Sequence, residues 1–323
     1  SDFIRQNSSY ANYSENMPWT VISTEEEFIK ERIENIGTPL KQWDISINYG
    51  VKTGLNEAFI ISKEQRDLLI SQDPKSSELI SPLLRGRNIK KYGYKTDKEF
   101  LICTFPSKKY DIDDYRAVKE WLINGDWVLK KTKKNPPTPL GSGRLRLEQL
   151  GKELVFEGVR FKTRKKASNK WFEIQDSINY SDDFSKQKIM YPNMTKYLPF
   201  YLDSKGFYTN DKGFIITGNN LFYLVAFLNS SLFKYAFINS FPDLQGGTRE
   251  LRKTFLELIP VKKITKNRNK LYKTLINNVQ YLKENGQDTK DQEKSIDLLI
   301  YEDYGISESE QKMIGASKDF NNI

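Results

Sequence analysis

The stretch NNLFYLVAFLN, residues 219–229, constrains the fold more than any other part of the chain. Asn opens it and eight apolar or aromatic residues follow, so it reads as a helix with Asn at its N-cap. A helix that is apolar on every side has no face to offer water, so Leu221–Leu228 must be buried. It is the longest apolar run here and far shorter than the roughly 20 residues a membrane span needs.

Other elements follow from local patterns. Thr24-Glu25-Glu26-Glu27 forms a capping box for a helix to about Ile36. Alternating apolar residues between Trp43 and Ser62 predict two strands joined at the glycines. Short helices are expected over Glu64–Gln72 and Ser76–Leu84, a strand over Phe100–Phe105, and a helix over Asp111–Asn124. Short strands are expected at Trp171–Gln175, Lys188–Tyr191, Phe200–Leu202, Gly206–Thr209 and Phe214–Thr217. Thr248–Leu258 reads as a basic-faced helix ending at Pro260. From Lys266 onward, Leu271, Leu275, Val279 and Leu282 recur at helical spacing. Gly286 breaks that helix, Asp291–Tyr304 makes another, and Ser307-x-x-Glu310 caps a last one. The expected division is a linker and lead-in helix (1–40), a central domain (41–262) and a helical tail (263–323).

The 323 residues contain no histidine and one cysteine, Cys103. Histidine-dependent triads, His-based zinc sites and Cys-cluster metal sites are thereby excluded, and no metal is expected. Residues 1–10 lack an apolar signal-peptide core, so a cytoplasmic protein with no membrane partner is expected.

The net charge is +9 and it is concentrated. Between Trp127 and Lys166 lie twelve Lys and Arg against Glu148, Glu153 and Glu157, a surplus equal to that of the whole chain. Charge so localised implies a polyanionic partner.

Within this segment sits NPPTPLGSG, residues 135–143. An Asn-Pro-Pro-aromatic tetrapeptide with a nearby glycine loop would suggest amino-methylation of a base. The fourth residue here is Thr138, which cannot stack on an extruded base. Gly141-Ser142-Gly143 follows prolines rather than a strand, and only Pro139-Leu140 separates the two motifs. The stretch therefore reads as a loop whose glycines and flanking cations suit a phosphate backbone. Pro242-Asp243 with Glu250 and Lys253 has the wrong spacing for a metal-dependent nuclease.

Seven stretches occur in a family's order: Tyr49–Ile61 (YGVKTGLNEAFII), Ser81–Lys91 (SPLLRGRNIKK), Trp171-Phe172-Glu173, Lys188–Pro192 (KIMYP), Gly213–Asn229, Gly246–Pro260 (GGTRELRKTFLELIP) and Ile296–Ser307 (IDLLIYEDYGIS). Together they resemble the C-terminal target-recognition (specificity) region of adenine-specific DNA methyltransferases of the TaqI/Eco57I type, found also in combined restriction-modification enzymes. The resemblance implies an α/β (α+β) fold of mixed, irregular sheets with peripheral helices and a helical tail, like the recognition domains of type I specificity subunits. It implies sequence-specific binding of double-stranded DNA. Catalysis and S-adenosylmethionine would belong to an N-terminal methyltransferase domain of a parent enzyme, with or without an endonuclease. The chain alone is expected to hold no cofactor, no catalytic residue and no methylase or nuclease activity. The polar residues 1–18 fit a linker out of such a domain.

The family's base-reading residues are not carried by a motif, so the DNA-binding candidates come from chemistry. They are Lys52 and Thr53 at a glycine turn; Arg85, Arg87, Lys90 and Lys91; Lys130, Lys131, Lys133, Lys134, Arg144, Arg146, Arg164, Lys165 and Lys166 in the basic segment; and Arg249, Arg252 and Lys253 beside Gly246-Gly247. Arg144 and Arg146 are the candidates for reading guanine. The glycines at 50 and 54 alternatively shape a hairpin, and the other small clusters alternatively form a turn and a solvated helix face. Two rival readings are an assembly subunit that associates through residues 266–314 and a complete methyltransferase with a divergent site.

Overall fold

The computed structural model describes residues 24–95 and 97–316. The expected linker at residues 1–18 and the side chain of the Thr24 cap lie outside the described residues.

Helix α1 (Thr24–Ile36) leads into strand β1 (Ile45–Tyr49). One helical turn, Asn56–Phe59, then precedes β2 (Ile60–Ser62). The expected hairpin is absent because β1 and β2 join different sheets. Helix α2 (Lys63–Gln72) opens on a capping box between Ser62 and Gln65. Where one helix was expected over 76–84, a 3-10 turn Pro74–Leu79 gives way to β3 (Ile80–Leu83), which pairs with β4 (Glu99–Ile102). Helix α3 (Arg116–Asn124) follows, then the hairpin β5 (Glu153–Phe156) and β6 (Val159–Lys162). After it come β7 (Lys188–Pro192), β8 (Tyr201–Asp203) and β9 (Gly213–Gly218). Helices α4 (Leu221–Asn229), α5 (Ser231–Phe237), α6 (Lys266–Glu284), α7 (Lys290–Tyr304) and α8 (Glu308–Ala316) complete the chain.

Residues 171–175 and 206–209 form no strand; Tyr208 makes only an isolated bridge to Leu83. The helix expected over 248–258 is instead a two-residue strand, Arg249–Glu250, and a single turn, Lys253–Leu256. Pairing with Met194–Thr195 and the Leu251 amide on the Asn193 carbonyl (2.8 Å) draws that backbone out. Tertiary pairing here outweighs helical propensity.

The fold is α+β, with small sheets whose ladders are all antiparallel. The largest sheet, ordered β8-β7-β9-β1, is buried on both faces along β8 and β7, while the edge strand β1 leaves Ser46 and Tyr49 exposed. Successive side chains on a strand point to opposite sides. Ile189, Tyr191, Ile216 and Ile47 therefore enter one hydrophobic core, and Met190, Tyr201 and Ile215 enter the other. The sheet is a partition between two cores, which is why KIMYP is buried throughout.

Helix α4 lies in the first core, surrounded as its composition demands. Asn220 occupies the N-cap position in left-handed conformation, but its side chain makes no capping bond. Asn269 of α6 accepts from the Tyr223 amide instead (3.3 Å). The tail helices bury Tyr272, Ile276, Val279, Ile296, Ile300 and Tyr304 in that core. Leu271, expected on the apolar stripe, is 51% exposed. Arg32 of α1 forks onto Glu310 of α8 (2.8 and 3.0 Å), tying the start of the described chain to its end. Among the described residues no single helix is long and apolar enough to cross a membrane. The bent pair Leu221–Asn229 and Ser231–Ser240 passes on joint length and composition only.

Candidate nucleic-acid interface

The basic segment leaves the second core at the end of α3. Trp127 is buried, and its indole nitrogen donates to the Trp121 carbonyl (2.9 Å). The chain then runs out through Lys130–Lys134 and returns along residues 135–143. Thr138 pins the return: its amide donates to the Val128 carbonyl (2.8 Å), and its hydroxyl donates to the same oxygen (3.1 Å) while accepting from Ser142 (2.8 Å). Gly143 packs on the end of α3, where an added Cβ would lie 2.3 Å from the Leu122 carbonyl oxygen. Only glycine fits such an approach.

Asn135 performs a different task. Its side-chain carbonyl accepts from the Lys162 amide (2.7 Å) and its amide donates to the Lys162 carbonyl (3.0 Å). The side chain thus mimics a neighbouring strand and fastens the outer edge of β6. The hairpin's turn, Glu157-Gly158, has positive φ at both residues (46° and 78°), as a two-residue turn of primed type requires.

At the root of the hairpin, Arg164 is buried. Its guanidinium donates to the carbonyls of Leu147 (2.8 Å), Thr53 (3.0 Å), Glu173 (2.7 Å) and Trp171 (2.6 Å). Burial pulls its pKa down to about 9, with Glu148 and Glu173 opposing, so the group stays charged at neutral pH. Arg146 is fully buried. It donates to the Val128 carbonyl (2.8 Å) and the Thr138 hydroxyl (3.0 Å), with its guanidinium 5.0 Å from the Trp127 ring centre.

These two arginines and the polar atoms of NPPTPLGSG form a bracket that holds a cationic surface. Ten basic residues of 127–166 remain exposed on it: Lys130, Lys131, Lys133, Lys134, Arg144, Lys152, Arg160, Lys162, Lys165 and Lys166. A surface of this charge, fixed from beneath, can neutralise a row of phosphates.

A family model described as the TaqI-like C-terminal specificity domain matches residues 81–261, which include the whole bracket and hairpin. The chain belongs to this family. Two solved structures are similar to the specificity domain. One is the type IIG restriction endonuclease BpuSI (15% identity, TM-score 0.48, covering 88% of this chain and 34% of that one). The other is the type IIL restriction-modification enzyme MmeI in complex with DNA (11% identity, TM-score 0.51, covering 84% and 34%). The chain thus spans about a third of the length of each. No curated protein matches it in sequence.

The specificity domain sorts the sequence-predicted DNA contacts by accessibility. Arg146, Arg164 and Thr53 are buried, contrary to the expectation that they face DNA. Arg164 spends its donors on carbonyls, Arg146 bonds a carbonyl and a hydroxyl through Nη1 while its Nε and Nη2 are buried without a partner, and the Thr53 hydroxyl donates to Asn56 (2.7 Å). Arg146 is therefore withheld from the surface, whereas Arg144 is exposed, with its guanidinium 5.6 Å from the half-buried Trp171 ring. Lys52 is exposed, with its ammonium 4.9 Å from the Tyr49 ring centre. Of the second cluster, Arg85 is forked onto Glu99 (2.5 and 2.7 Å), Arg87 pairs with Asp97 (2.7 Å), and Lys91 joins Glu293 of α7 (2.8 Å). Lys90 is exposed and bonds the Arg87 carbonyl (3.3 Å). Arg249 is half-buried near Asn239 and Asp243, while exposed Arg252 and Lys253 pair with Glu250 and Glu257. Of these clusters among the described residues, the basic segment keeps the largest exposed surplus, although Lys130 pairs with Asp126 (3.2 Å) and Glu153 lies 3.5 Å from Arg160 and 3.8 Å from Lys162.

Sequence reasoning missed the β5–β6 hairpin. Its signal is present: Glu157-Gly158 separates ELVF from VRFK, a two-residue turn between alternating runs. The density of cations hid the alternation of Leu154, Phe156, Val159 and Phe161.

Proposed function

We propose that this specificity domain recognises a particular sequence of double-stranded DNA and presents it to an adenine-specific methyltransferase domain of a restriction-modification enzyme, a domain that lies outside these residues. The observation that carries the reading is the combination of family membership with an exposed cationic surface fixed by buried arginines. S-adenosylmethionine belongs, in this reading, to the catalytic domain. Residues 135–143 do not fit it: the Asn135 amide is engaged on β6, Ser142 is buried, and the Gly143 backbone is closed against α3. Against the assembly-subunit alternative, α6 and α7 turn Tyr272, Ile276, Val279, Ile296 and Ile300 into the chain's own core, although Leu271, Tyr281 and Leu298 stay exposed.

Fluorescence anisotropy with a labelled duplex tests this. Affinity should fall linearly on a logarithmic salt axis, with a slope near −0.9 per phosphate neutralised. Replacing Lys130, Lys131, Lys133 and Lys134 by Gln should reduce that slope by up to roughly 3–4 and weaken all sequences alike. A quadruple variant with unchanged affinity and slope would refute the assignment of this surface.

A further inference from the structure

Resting on the DNA-recognition reading, we infer that the β5–β6 hairpin is the element that enters the major groove, with Arg160 as a specificity-determining residue. The hairpin's turn, Glu157-Gly158, is exposed. A Cβ added at its tip, Gly158, would meet nothing within 4 Å. Its root is rigid: Asn135 bonds both backbone groups of Lys162, Thr163 and Lys152 pair (2.9 Å), and Arg164 bonds four carbonyls beneath it. A two-stranded ribbon is one of the two elements that a groove about 12 Å wide admits.

The two faces of the ribbon differ. Leu154, Phe156, Val159 and Phe161 lie on the more buried face. The other face bears two directly opposed pairs, Glu153 with Lys162 and Val155 with Arg160. Arg160 is 73% exposed, Lys162 61% and Val155 58%. A surface built only to hold phosphates would exclude a carboxylate and gain nothing from an isopropyl group. A surface that reads bases uses all three chemistries: guanidinium to the O6 and N7 of guanine, carboxylate to the amino group of cytosine, and an apolar contact to the thymine methyl. Glu153 lies 3.5 Å from Arg160 and 3.8 Å from Lys162, distances at which these groups orient one another yet remain free to exchange partners. The lysines of residues 130–134, with Lys165 and Lys166, flank the root and serve to hold the phosphate rails.

The experiment is selection from a pool of duplexes with a randomised centre. It uses the 323-residue chain as wild type, Arg160→Ala and the double variant Lys133→Gln/Lys134→Gln. Arg160 is exposed, so its variant should melt with the wild type, which a thermal scan verifies before selection. The wild type should enrich one motif. Arg160→Ala should lose discrimination at one or two adjacent positions by roughly 5- to 150-fold, the value of one bidentate base contact. It should still bind the unselected pool. The lysine variant should enrich the same motif with weaker binding throughout. If Arg160→Ala enriches the wild-type motif as strongly as the wild type does, the inference is overturned while DNA recognition stands. If the wild type binds no duplex, the proposed function falls and this inference with it.

Discussion

Arg164 separates an arginine that builds the interface from one that touches a ligand. Replacing it with Met keeps most of the stem and removes every donor. Four carbonyls, on Thr53, Leu147, Trp171 and Glu173, then lose a charged partner. Each acceptor left dry costs about 1–3 kcal/mol. Removing the charge also releases its desolvation cost, and some carbonyls will recruit water. The net loss is therefore placed at about 3–5 kcal/mol. A chain of this size loses about 2 °C of melting temperature per kcal/mol, so the expected drop is roughly 6–10 °C by calorimetry. Arg164→Lys should recover part of it, because an ammonium has three donors and no planar fork to span opposed carbonyls. The control is Lys165→Gln/Lys166→Gln. It should melt with the wild type and lower the salt slope of duplex binding by up to roughly 2. Measured below its melting transition, Arg164→Met should keep the wild-type slope. A variant that melts normally but loses one unit of slope would show that Arg164 faces phosphate, and would refute the bracket.

Three further outcomes are expected. Lys188 and Asp203 form a fully buried pair (2.5 Å) across β7 and β8, and Asp203 also accepts from the Lys205 and Phe207 amides. Asp203→Ala strands a buried ammonium and should cost about 3–5 kcal/mol in urea unfolding. Gly143→Ala drives a methyl into the Leu122 carbonyl and should cost about 1–3 kcal/mol, read from the same titration. Burial would push the Glu293 carboxyl up, but Lys91 first and then Lys283 overcome it and hold it at about 2. Because the folded pKa lies below the ordinary value of 4.5, its contribution is complete above about pH 4.5 and is lost as pH falls toward 2. The melting-temperature gap between wild type and Glu293→Gln should close over that window.

Much of the secondary structure was legible from local pattern. α1, α2, α4, α6 and α7, and the strands β7, β8 and β9, follow from residues adjacent in sequence, and spacing alone reports them. Errors came where a neighbour distant in sequence chose the conformation. Residues 249–250 extend because Met194–Thr195 pair with them. β1 and β2 part because the central sheet takes one and β4 the other. On α6, the Leu271–Leu275–Val279–Leu282 stripe is as periodic as the buried Tyr272–Ile276–Val279 face, and only the position of α4 decides between them.

The sequence by itself determined that α4 would be buried, that the surplus charge would lie in residues 127–166, and that NPPTPLGSG lacked the aromatic of a methylating site. Each depends on composition or order alone. Tertiary structure decided which cations face water. Whether an arginine meets a phosphate or a carbonyl depends on which chain segments converge on it. Arg164 bonds a carbonyl 111 residues away, and no local pattern carries that distance. For the same reason Thr138 and Arg146 became a frame beneath the cationic surface, and Asn135 became the side chain that fastens the edge of the β5–β6 hairpin.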